Sequence, residues 1–158
     1  TTRDRIYHHV DFHDLSAIMV DTGGMEYGKK ENIEADVQSQ VQIAIAEADL
    51  IFFVIDAKEG LTRNDMEAAA ILRKSKKEIL FIANKIDSKL GRDQLAEYYE
   101  LGFGEPIGIS AYHNMGVDEL IDKVEKHLKK IELIKRYLEY EKISKQFKSK
   151  QINKKIYK

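Results

Sequence analysis

Two short, unbroken apolar runs, Leu50 to Ile55 and Ile79 to Ala83, constrain this chain more than any other feature of its sequence. Neither alternates with polar residues, and the first is rich in β-branched and aromatic side chains. Such runs suit strands of a parallel sheet that is covered on both faces. Parallel neighbours need a crossover of about a dozen residues, usually a helix, and the stretch from about Asn64 to Lys74 reads as one. The unit then repeats. A helix near Asp93 to Leu101 leads to a third strand, Ile107 to Ile109. A last amphipathic helix starts near Val117 and carries Leu120, Ile121, Val124 and Leu128. Pro106 stands just before a strand, where its missing N–H does little harm.

Upstream, Ile6 to Phe12 and Ser16 to Val20 read as two strands joined by a polar turn around His13 and Asp14. Gly23, Gly24 and Gly28 mark an irregular loop. Ile33, Val37, Val41, Ala44 and Ala48 then recur at helical spacing. The expected fold class is therefore α/β, a mostly parallel sheet with helices on both faces. A chain of 158 residues has room for one ordinary domain and a tail, and 43% apolar residues suffice for a core. The lack of cysteine excludes a disulfide framework and a thiolate metal site. The longest apolar run, Leu50 to Ile55, is far short of a membrane span, and no secretory signal opens the chain. A cytoplasmic protein without a membrane partner is expected.

The formal net charge of −1 argues against a basic field over the whole surface. The segment 130–158 departs from that balance, with ten Lys/Arg against three Asp/Glu, a net of +7. Tyr137, Leu138, Ile143 and Phe147 are spaced to allow a helix as far as about Phe147. A solvated linker is the expectation from composition, and an electrostatic contact with RNA is the alternative.

Ligands of open parallel sheets bind at the carboxyl ends of the strands, and three polar clusters fall at such ends. Asp21-Thr22-Gly23-Gly24 follows the strand Ser16 to Val20. A carboxylate there suits Mg²⁺, which prefers hard oxygen and keeps part of its water shell, and a glycine N–H can approach a terminal phosphate unobstructed. Asn84-Lys85-Ile86-Asp87 follows the strand Ile79 to Ala83. Asp87 can accept from the N1–H and exocyclic amine of guanine, a donor pair that adenine lacks. Lys85 can lay its methylene stem over a flat base, and Asn84 can tie neighbouring loops together. Ser110-Ala111 closes the strand Ile107 to Ile109, where a small residue lets a backbone N–H reach the carbonyl oxygen of a base. Each cluster is common by itself. Their order, one after each of three strands, is not.

Those residues carry a resemblance to the Der/EngA family of tandem GTPases of ribosome assembly. Thr2-Arg3-Asp4-Arg5-Ile6-Tyr7 resembles the family's switch I stretch, and Asp21-Thr22-Gly23-Gly24 its switch II motif. Glu47-Ala48-Asp49, Asp56 with Gly60-Leu61-Thr62, Leu101-Gly102-Phe103-Gly104 and Ile109-Ser110-Ala111 match further stretches. The resemblance implies the three-layer P-loop NTPase fold of Ras-like GTPases, with 1–129 as the first GTPase domain. It also implies a basic linker over 130–152 and the opening strand of a second GTPase domain over 153–158. Thr2 is then the switch I threonine that reaches Mg²⁺ and the γ-phosphate, Asp21 holds Mg²⁺ through water, and Gly24 senses the γ-phosphate. Asn84, Lys85, Asp87, Ser110 and Ala111 bind the base of GTP or GDP. Met25 stands where Ras-like proteins keep a water-orienting glutamine, and a thioether cannot orient water. The resemblance implies hydrolysis assisted by K⁺ instead, and a switch that docks on the large ribosomal subunit and its rRNA.

No G-x-x-x-x-G-K-S/T run occurs in these 158 residues. By the resemblance, the first strand, the P-loop and the first helix precede Thr1, roughly 30 to 40 residues by usual element lengths. The expectation is a GTPase whose isolated 158-residue piece binds nucleotide weakly at best. Its sheet should lack a central strand and leave two strand edges unpaired. The alternative is a non-catalytic module that keeps a GTPase shape and binds protein or RNA. His8 and His9 point to opposite faces of a strand and do not easily share a metal with each other or with His13. Tyr98, Tyr99 and Tyr112 read as packing and surface residues. Asp118, Glu119 and Asp122 read as first-turn helix carboxylates.

Overall fold

The computed structural model describes residues 6–21, 34–86 and 92–156. Its elements are β1 (Ile6–Phe12), β2 (Leu15–Asp21), α1 (Glu34–Glu47), β3 (Leu50–Asp56), α2 (Arg63–Ser75), β4 (Glu78–Asn84), α3 (Arg92–Tyr99), β5 (Ile107–Gly108) and α4 (Val117–Ile156). The two apolar runs are adjacent parallel strands. β3 pairs with β4 from Leu50↔Glu78 to Asp56↔Asn84, and β4 pairs in parallel with β5.

Side chains of β3 and β4 alternate between two cores, as the twofold period of a strand requires. Phe53, Ile55, Phe81 and Ala83 meet Ala68, Ala69 and Leu72 of α2 and Tyr98 of α3 on one face. Phe53 stacks on Phe81 at 5.4 Å between ring centroids, and Tyr98 stands edge-on to Phe81 at 6.0 Å. Leu80 and Ile82 turn to the other face, where Val124, Leu120 and Leu128 of α4 cover them. Helices thus lie on both faces of this sheet.

Local chemistry fixes the ends of the helices. Thr62 and Asp65 form a capping box at the start of α2: Asp65 N–H donates to Thr62 Oγ1 (3.2 Å), and Thr62 N–H donates to Asp65 Oδ2 (2.9 Å). Lys77 donates from Nζ to the carbonyls of Ala46 (2.7 Å) and Ala48 (2.9 Å), placing a cation where the carbonyls at the end of α1 lack helical partners.

β1 and β2 form a separate antiparallel hairpin, and no ladder joins β2 to β3 among the described residues. Ile18 and Val20 of β2 and Val54 of β3 are exposed. The hairpin tip rests on α4, with Phe12 against the apolar cluster and His13 Nδ1 donating to Glu125 Oε1. That hydrogen bond, followed by the charge of Glu125, raises the His13 pKa above its ordinary 6.5, while desolvation and, less, Lys129 oppose the shift. A pKa that is higher in the folded state gives a contribution that is complete below the unfolded value of about 6.5 and is lost as pH rises through the folded value. Histidine titration by NMR should place His13 above 6.5, and Glu125→Gln should return it toward that value. An unshifted His13 in the parent protein would mean that the tip is not docked.

After Lys129 the helix extends beyond the expected limit of about Phe147: α4 runs unbroken for 40 residues to Ile156, so within 153–158, expected as an opening strand, residues 153–156 are helical in this structure. A lone strand here would leave its backbone groups without a ladder, whereas a helix pairs them internally. Arg136–Glu132 and Lys145–Glu141 add supporting pairs four residues apart. Lys130 reaches Glu78 and Lys135 reaches Asp49, which tie this stretch to the body. Farther along, Tyr137, Leu138 and Tyr140 are exposed. No helix among the described residues is long and apolar enough to cross a membrane.

Candidate functional site

The carboxyl ends of β3, β4 and β5 lie side by side, and the polar residues that follow β4 and β5 are cross-linked there. Asn84 is the tie. Its Oδ1 accepts from Lys85 N–H (2.8 Å) and from Ala111 N–H (3.1 Å), which fastens the loop after β4 to the loop after β5. A second link runs beside it, with Ile86 N–H donating to the Ile109 carbonyl at 2.9 Å.

Ser110 is 1% exposed and forms a bridge with Met115 through paired backbone bonds of 2.9 and 3.0 Å. Gly116 closes that loop at φ +71, where a Cβ would stand 2.3 Å from the Gly108 carbonyl oxygen. Glycine is required at this position for both its left-handed backbone and its missing side chain.

Lys85 also occupies the left-handed region, at φ 66. Its Nζ lies 2.5 Å from Asp56 Oδ2, and Asp56 Oδ1 accepts from Lys58 N–H at 3.0 Å. The hydrogen bond from Lys85 holds the Asp56 carboxyl below the usual carboxylate range, and Asp56 in turn raises the Lys85 ammonium. Both groups stay charged near neutrality. Asp56 faces Asn84 in the strand register, so the two tips present an acid and an amide side by side.

Of the residues singled out in the sequence, Asn84, Lys85, Ser110 and Ala111 come together. Asp21 is exposed at the carboxyl end of β2, in the other sheet. Thr2, Gly24, Met25 and Asp87 lie outside the described residues. Asp56 joins Asn84 and Lys85, although in the sequence it stands out only as part of a stretch that matches the family. The signal was available, because Asp56 ends an apolar run parallel to the one that Asn84 ends.

Residues 1–85 match the family described as 50S ribosome-binding GTPase. GTPase Der of Caldanaerobacter subterraneus subsp. tengcongensis is 47% identical over 128 residues, which are 80% of this chain and 29% of that protein. GTPase Der of Thermoanaerobacter pseudethanolicus is 44% identical over 133 residues, 84% of this chain and 30% of that protein. The chain thus spans under a third of the length of these curated relatives. Among solved structures, Era in complex with MgGDPNP and a stretch of 16S ribosomal RNA superposes with a TM-score of 0.68 at 27% identity. That match covers 80% of this chain and 45% of the other. A probable GTP-binding protein engB matches at a TM-score of 0.62 and 18% identity, over 81% of this chain and 83% of that one, a likeness of fold alone.

Proposed function

We propose a function on the premise that this chain belongs to the family of 50S ribosome-binding GTPases: it binds guanine nucleotide and serves GTP hydrolysis as a switch in assembly of the large ribosomal subunit. One observation carries the reading. The stretches that begin at Asn84 and Ser110 are fastened by a bond from Ala111 N–H to Asn84, 27 residues apart in sequence, at the carboxyl edge of a parallel sheet. A base is a flat ligand with polar edges, and two loops held in register can grip its face and its edge at once.

In this reading Lys85 covers the face of the base, Asp87 accepts from its donor edge, and the Ser110-Ala111 loop meets its carbonyl oxygen. Asp21 and Thr2 hold Mg²⁺, and Gly24 contacts the terminal phosphate. The exposed hard oxygens of Asp21 at a strand end fit an ion that takes one or two carboxylates and completes its shell with phosphate and water. Mg²⁺, when bound, neutralises phosphate charge. K⁺ would compensate for the methionine at position 25, as the resemblance implies. By the family resemblance, the protein also contacts the large ribosomal subunit and its rRNA and carries a second GTPase domain.

These residues contain no G-x-x-x-x-G-K-S/T run, so they supply base recognition without the lysine and N–H cradle for phosphates. The same observation favours a second reading, a non-catalytic module of GTPase shape. Calorimetric titration with GDP and Mg²⁺, with ADP as control, separates the two. The protein at the length of its relatives should prefer GDP by at least about 100-fold, because adenine leaves the acceptor of Asp87 unpaired. The 158-residue chain should bind GDP weakly. Equal binding of GDP and ADP, or no binding at full length, would leave the non-catalytic module standing.

A further inference from the structure

We propose that Asp56 is a positioning residue for the base-covering stem of Lys85, an inference that rests on the guanine-nucleotide reading above. Lysine is a poor platform when free. Its four-carbon stem samples many rotamers, and ordering it on binding costs affinity. In this structure the stem is held at both ends. The backbone end is fixed because Lys85 N–H donates to Asn84 Oδ1 at 2.8 Å, and the ammonium end is fixed by Asp56 Oδ2 at 2.5 Å. The anchor is itself held. Asp56 Oδ1 accepts from Lys58 N–H at 3.0 Å, and its own carbonyl accepts from Gly60 N–H at 3.2 Å, so the carboxylate stands on a closed turn at the tip of β3.

Parallel register sets the span of this tether, since Asp56 pairs with Asn84, the residue before Lys85. Lys85 therefore offers its methylenes with part of their ordering already done, and Asp56 offsets its charge. The lysine contributes a flat apolar surface to the base rather than a cation to the phosphates.

The test is Asp56→Asn in the full-length protein. Asparagine retains an oxygen for the Lys58 N–H and so keeps the turn, but it loses the charge that holds the ammonium. Affinity should fall about fivefold, the scale of one re-immobilised side chain, and by the same factor for GDP and for guanosine. The unfolding midpoint should stay within error, and Asp56→Asn should add nothing in a Lys85→Met background. Unchanged affinity in Asp56→Asn overturns the proposal, as does a further fivefold loss on top of Lys85→Met. A loss for GDP with none for guanosine also overturns it, by placing Asp56 with the phosphates. Failure of the parent protein to bind any guanine nucleotide overturns the functional reading, and the proposal with it.

Discussion

Gly116→Ala should lower the unfolding free energy by about 3 to 5 kcal/mol, a loss at the exceptional end for a single substitution. Two costs add at this position. Left-handed backbone costs a residue with a Cβ about 1 to 2 kcal/mol. The new methyl would also stand 2.3 Å from the Gly108 carbonyl oxygen, and its next neighbours are backbone atoms of Gly108 and Ile109 at 3.4 Å. No flexible side chain can swing aside, so β5 or the first turn of α4 must move. That turn begins at the same residue, where Leu120 N–H donates to the Gly116 carbonyl.

Gly60 supplies the control. It has φ +77 but open space around its Cβ position, so Gly60→Ala should lose only the conformational cost of about 1 to 2 kcal/mol. Urea unfolding of both variants decides the matter. Equal losses would show that Gly108 of β5 does not crowd the Cβ position of residue 116 at the start of α4.

Asn84→Ala should weaken GDP binding by roughly 10- to 100-fold, equivalent to about 1.4 to 2.8 kcal/mol. The alanine removes the acceptor shared by Lys85 N–H and Ala111 N–H, and the two loops lose their register. Both donors sit in exposed residues, so water can replace part of the loss. Global stability should therefore fall by no more than about 1 to 2 kcal/mol. The effect is larger on binding than on folding. Asn84→Asp keeps an oxygen for both donors and should recover part of the affinity, short of the parent because Asp56 lies beside it in register. Calorimetry with GDP reads both variants. An alanine variant that binds like the parent would mean that the base is gripped without this tie.

The sheet of β3, β4 and β5 was legible because its signal is strong and local. Unbroken apolar runs of six and five residues have few alternatives once helical stretches separate them. The meeting of residues 84–86 with 109–111 was legible one step later, since parallel strands put their carboxyl ends on one edge. The Lys85–Asp56 contact was not. Nothing in a strand-ending aspartate tells a turn former from an anchor, and its partner lies 29 positions away.

The course of α4 was legible only as an allowed helix to about Phe147, and its continuation to Ile156 was hidden for a different reason. Lysine-rich sequence with a few apolar residues satisfies both a solvated linker and a helix laced with pairs such as Arg136–Glu132. Composition could not separate the two states. No ladder joins the β1–β2 hairpin to β3, β4 or β5 among the described residues, and no feature of the strands themselves announces that gap.

Continuous helix from Val117 to Ile156 makes the end of α4 a lever. Among the described side chains, Lys135–Asp49 is the ion pair farthest along α4 that reaches the body, and 21 residues extend past it, about 30 Å at the usual helical rise. A bend of about 10° at the fulcrum carries the far end about 5 Å, one helical turn. A flexible tether of equal length would absorb such a bend within its own fluctuations. A stiff arm carries it to the far end, so the direction of the end of α4 is set by its seating on the body near Asp49, at the foot of β3.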